Sequence, residues 1–133
     1  IHVEVFGNDP PRHGWEEQLT GMVAEELEAR LSVRLAPRAA ADAVLRGRIT
    51  NIHDRVLVGS QDESLAESSV MVTVQVELVA REGRVLRSFT ATERGEFVPA
   101  RGESRSEATL NTIRDLAEEI VLVLGVVSAP GPS

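Results

Sequence analysis

The sequence has no cysteine, no lysine and no apolar run approaching the roughly 18 residues of a membrane-spanning helix. Each absence closes off a class of protein. Without cysteine there is neither thiolate chemistry nor a disulfide, although this says nothing about compartment, since secreted proteins also do without both. Without lysine, all 14 basic residues are arginine, set against 21 acidic residues for a formal charge of −7. So acidic a chain is a poor candidate for a nucleic-acid module, and no nucleic-acid partner is expected. Arginine still presents a planar fork that holds phosphate or carboxylate in two places at once, so a few clustered arginines serve an anionic ligand on an acidic protein. Codon preference is the simpler account of the arginine-only usage.

Catalytic signatures are also missing. There is no HExxH or comparable metal spacing, and His13 and Glu17, four residues apart, fall short of the three protein ligands that a catalytic zinc usually takes. His53 and Asp54 are adjacent on a strand and therefore point to opposite faces. Ser60 follows a glycine in VGSQD without the GxSxG frame of a nucleophile elbow, and no glycine-rich phosphate loop is present. No catalytic residue, metal ligand or cofactor is expected, and the chain is read as a binding protein.

What is present is hydrophobic patterning. The 133 residues are 42% hydrophobic, enough for one soluble domain burying roughly 65 to 70% of its unfolded surface without metals or disulfides. IHVEVFGNDPP alternates Ile1, Val3 and Val5 against His2, Glu4 and Phe6, and then stops in a turn. No leader is read at this start, so the protein is expected to be cytoplasmic or to have had a leader removed. Over residues 13–31 the period changes: Trp15, Leu19, Met22, Val23, Leu27 and Leu31 form one apolar stripe, and the intervening glutamates form a solvated face. After an alanine-rich link ending at Asp42, AVLRGRITNIHDRVLVG reads as a long strand whose apolar phase slips between Ile49 and Ile52, as a β-bulge requires. Past a polar loop at residues 59–68, Val70, Val72, Val74, Val76 and Leu78 share one strand face. Glu82 to Arg84 make a tight hairpin into a further strand, on which Phe89, Ala91 and Phe97 share a face. Ser104 and Glu107 are spaced as a capping box opening a helix over residues 104–124, with Gly125 as its C-cap and residues 126–133 as a disordered tail.

The predicted fold is therefore α+β. Two amphipathic helices pack on one face of a mainly antiparallel, roughly four-stranded sheet in the order β-α-β-β-β-α, forming a single domain over residues 1–125. Leu19, Val23, Leu27, Leu116 and Ile120 should meet alternate residues of the 70–78 strand. The other face of the sheet is left wet. Arg46, Arg48 and Arg55, from one strand, and Arg94, from the neighbouring hairpin, are the candidate ligand-binding residues.

Three segments together resemble the LptE family of lipopolysaccharide-assembly lipoproteins. They carry Ile1, Val3, Phe6 and Asn8 in the first strand; Ala41, Asp42, Leu45, Gly47 and Ile49 at the start of the second; and Asp115, Leu116, Ala117 and Ile120 in the last helix. The motifs are built from core positions and caps, but their order and spacing cover nearly the whole chain. The resemblance implies an outer-membrane lipoprotein that sits inside an LptD-like barrel, plugs it, and binds lipopolysaccharide during insertion into the outer leaflet. It also implies a membrane anchor on an N-terminal lipid-bearing cysteine, expected upstream of this chain. The family's ligand-contacting residues include lysine, so they do not carry across. Two other readings stay open: an envelope protein-interaction domain resembling the TolB amino-terminal domain or an LpoB-type activator, without a lipid ligand, and a small hydrolase built around His53.

Overall fold

The structure, a computed structural model, describes residues 1–4, 6–8, 15–31, 33–57 and 67–128. Its elements are β1 (His2–Val3), β2 (Gly7–Asn8), α1 (Trp15–Leu31), β3 (Ala43–Leu57), β4 (Glu67–Ala80), β5 (Val85–Phe97) and α2 (Arg105–Ser128), with single 3₁₀ turns at Arg38–Ala40 and Pro99–Arg101. The sheet runs β1-β3-β4-β5, and β2 also pairs with β3. β3, β4 and β5 are antiparallel, whereas β1 and β2 lie parallel to β3. Counting β1 and β2 as one interrupted strand, this is the predicted four-stranded α+β order.

β4 sits at the centre because its β-branched residues repeat every two positions: Val70, Val72, Val74 and Val76 are wholly buried. Val74 stands between Ile49 of β3 and Ala91 of β5 in register, and Leu45 of β3 stands opposite Leu78. The stripes of both helices close over this same face, so Leu19, Val23, Leu27, Leu116 and Ile120 join the valines in one buried cluster, as expected. α2 lies on β4 and β5, and α1 packs against α2. The β3 bulge falls where the phase slip placed it, between Ile49 and Asn51. Gly83, at φ 98°, turns the β4–β5 hairpin, a left-handed conformation that glycine adopts without steric cost. At the start of α2, the Glu107 N–H donates to Ser104 Oγ at 3.0 Å, the expected cap.

Two details, at Phe6 and Gly125, depart from the sequence reading. Val3 stands opposite Leu45 but Gly7 opposite Arg48, so four steps along the first segment match three along β3. That extra residue reverses the alternation and turns Phe6 inward, where it is 1% exposed. Gly47 makes room for it, since a Cβ there would lie 2.6 Å from the Phe6 ring. α1 is described from Trp15, and His13 lies outside the described residues. Gly125 is not a cap: α2 runs on to Ser128, and a Cβ at Gly125 would meet Leu31 Cδ2 at 2.9 Å. The glycine lets the end of α1 approach α2 closely, and residues 129–133 lie outside the described residues.

Candidate functional site: the open face of the sheet

Alternation sends every second residue of the long strands away from the helices. On β4 these are Met71, Thr73, Gln75 and Glu77; on β5 Ser88, Thr90, Thr92 and Arg94; and on β3 Arg46 and Arg48 before the bulge and Asn51 and His53 after it. Their centre is a hydrogen-bonded polar strip. Thr90 Oγ1 donates to Gln75 Oε1 at 2.7 Å, Gln75 Nε2 donates to Ser88 Oγ at 3.2 Å, and Thr92 Oγ1 donates to Thr73 Oγ1 at 3.3 Å. Each cross-strand pair contributes about 0.2 to 1 kcal/mol, and together they keep the face polar and wettable.

Arg46 and Arg48 flank this strip from β3, opposite Glu77 and Gln75. Arg46 Nε lies 3.4 Å from Glu77 Oε1, with the arginine side chain 50% exposed. An ion pair that wet contributes about 0 to 1 kcal/mol, so a competing anion can recruit Arg46 at little cost. Arg48 has no carboxylate partner among the described residues. Both arginines line a shallow depression of about 390 Å³ with Glu4, Gly7, Gln75 and Glu77. Two guanidinium forks beside amide and carboxylate groups suit a small anionic group bearing its own hydroxyls.

The other two candidate arginines are placed differently. Arg94 shares the open face but pairs with Glu96 at 3.4 Å and stands opposite Met71. Strand geometry puts its backbone about 16 Å from that of Arg48, four residues along and two strands across. Arg55 is opposite Ser69 in register, and its side chain lies outside the described residues. The strip of Thr73, Gln75, Ser88, Thr90 and Thr92 was not singled out from the sequence. Its signal is the polar half of the same alternation that revealed the core.

On the inner face, Glu93 stands opposite Val72, under α2. Burial first, then a hydrogen bond with the Glu93 carboxyl and the repulsion of its charge, raise the Glu119 carboxyl above the ordinary glutamate range. Glu119 Oε2 is buried without a hydrogen-bond partner. Among the described residues, no group of three or more His, Asp or Glu side chains is placed to hold a metal ion, and no helix is long and apolar enough to cross a membrane.

The fold and this face can be set beside known proteins. The family model for LptE, lipopolysaccharide-assembly, matches residues 1–124. The chain belongs to the LptE family. Compared with curated proteins by sequence, it finds no significant match. Among solved structures, this LptE-family chain is similar to a minor lipoprotein from Acinetobacter baumannii, at 18% identity and a TM-score of 0.64, covering 94% of this chain and 90% of that one. It is also similar to a hypothetical protein from Chlamydia trachomatis, at 10% identity and a TM-score of 0.71, covering 97% of each chain. A third similar structure is the rare lipoprotein B from Shewanella oneidensis, at 14% identity and a TM-score of 0.52, covering 95% of each chain. At such low identities the structural likenesses establish the shared fold, and membership of the LptE family rests on the family match.

Proposed function

We propose that this chain plugs and supports an LptD-like outer-membrane barrel and binds lipopolysaccharide while the lipid is inserted into the outer leaflet, acting by contact and not by turnover. The family match over residues 1–124 carries this reading. The open face supports it physically. Arg46 and Arg48 supply guanidinium forks for the phosphates of the lipid, and the Thr73, Gln75 and Thr90 strip supplies hydroxyl and amide partners for its sugars. Arg94 extends the cationic rim from β5, and Arg55 is the fourth arginine assigned to the ligand. The protein works at the periplasmic face of the outer membrane, anchored by a lipid on a cysteine N-terminal to Ile1.

Isolation of the tagged, full-length protein from detergent-solubilised outer membranes tests the partner. A β-barrel protein should co-purify in stoichiometric amount, and recovery of the protein free of any barrel would overturn the proposal.

A further inference from the structure

Among the described residues, large hydrophobic side chains stand exposed at Val85, Leu86 and Leu122, and the first two are neighbours at the tip of the β4–β5 hairpin. Val85 is 47% and Leu86 44% exposed. Their exposure is built into the backbone. Val79 stands opposite Val85 but Leu78 opposite Arg87, so Leu86 is an extra residue in the ladder, and a bulge of this kind re-aims its side chain. Isolated apolar side chains on a surface are ordinary, but this pair is bracketed in sequence by Arg81, Arg84 and Arg87, all exposed.

The only acidic residue in the tip is Glu82, which pairs with Arg84 at 3.4 Å. The arginine is 71% and the glutamate 64% exposed, too wet for the pair to hold the guanidinium against a competing anion. The adjoining turn, joined through the Arg81 N–H donating to the Asp42 carbonyl at 2.9 Å, adds Asp42 and the Arg38–Glu4 ion pair at 3.4 Å, one negative charge in all, and the three arginines of the tip still outweigh the acids. A protein of net charge −7 thus carries a locally cationic tip with two aliphatic side chains at its centre.

We propose that this hairpin tip docks on an anionic lipid surface, with Val85 and Leu86 entering the boundary between headgroups and acyl chains and Arg81, Arg84 and Arg87 pairing with lipid phosphates. The charge pattern selects this occupant. A neutral protein groove would leave three guanidinium groups without partners, whereas a phosphate-bearing interface accepts the aliphatic pair and the surrounding cations together. The docking surface is separate from the Arg46–Arg48 depression and does not depend on the function proposed for it.

Sedimentation of the chain with vesicles tests the proposal. It should pellet with phosphatidylcholine vesicles containing phosphatidylglycerol, not with phosphatidylcholine alone, and should be released at high salt. Replacing Val85→Ser with Leu86→Ser, or Arg84→Glu with Arg87→Glu, should each weaken binding about tenfold or more while the circular dichroism spectrum stays unchanged. Arg101→Glu with Arg114→Glu, exposed arginines with no role in either surface, should bind vesicles as the unaltered chain does, which controls for net charge. Failure to pellet with anionic vesicles, equal binding by the tip variants, an equal loss from this charge-matched variant, or full competition by inorganic phosphate would each overturn the proposal.

Discussion

The two faces of the sheet are made by the same strands, one residue apart. Val72 and Val74 are removed from water entirely, while Thr73 between them hydrogen-bonds sideways to Thr92 on a wet surface. Burying a valine contributes about 1.5 to 3 kcal/mol, whereas a threonine pair across exposed strands contributes about 0.2 to 1 kcal/mol. Stability therefore resides under the helices, and the open face contributes little to it. A side chain changed on the inner face should alter folding, and one changed on the open face should alter binding.

The largest effect is expected from Leu116→Ala. Leu116 is fully buried in the cluster beneath both helices, and its truncation should cost about 2 to 5 kcal/mol in denaturant unfolding. A loss below about 0.5 kcal/mol would break the comparison, because that is the range of surface positions. Gly95→Ala comes next. A Cβ there would lie 2.3 Å from Thr112 Oγ1 and 3.2 Å from the Ala108 carbonyl oxygen, so α2 must shift off β5. Overpacking of this kind costs about 1 to 3 kcal/mol. Adding Thr112→Ala, which removes the nearer atom, should restore part of the loss, and a further loss in the double variant would contradict the geometry.

A smaller effect is expected at the Glu93–Glu119 contact, an acidic pair on the inner face. Because the Glu119 carboxyl is raised above its ordinary value in the folded chain, the folded state holds a proton that the unfolded state releases. Stability should then fall as pH rises from the ordinary glutamate value through the raised one, and level off above it. Glu119→Gln should remove that slope and lift the neutral-pH midpoint by about 2 °C. A thermal-unfolding profile that keeps the same slope in the variant would place the titration elsewhere.

Much of this contrast was legible in the sequence because alternation and helical spacing are strong local signals. Residues 70–78 announced the central strand, the slip between Ile49 and Ile52 announced the bulge, and Ser104 announced the start of α2. Phe6 was not legible. Its inward turn depends on a register slip between β1 and β2, set by pairing with β3 some 40 residues away. Gly125 was misread because a glycine that ends a helix and one that admits a neighbouring helix look alike until Leu31 is placed against it. At the candidate site, the sequence located Arg46 and Arg48 on one face. It did not disclose that Glu77 holds Arg46 while Arg48 is left without a carboxylate partner among the described residues, since both facts depend on the β3–β4 register.

The most direct measurement on the open face is lipopolysaccharide binding by the chain carrying Arg46→Glu and Arg48→Glu, followed alongside its thermal midpoint. The midpoint should change little, because exposed substitutions of this kind stay within about 0.5 kcal/mol, while binding should weaken about tenfold or more as two guanidinium groups become carboxylates. Unaltered binding would reject the Arg46–Arg48 depression as the ligand site, and a collapse of the midpoint would show that these arginines serve folding instead.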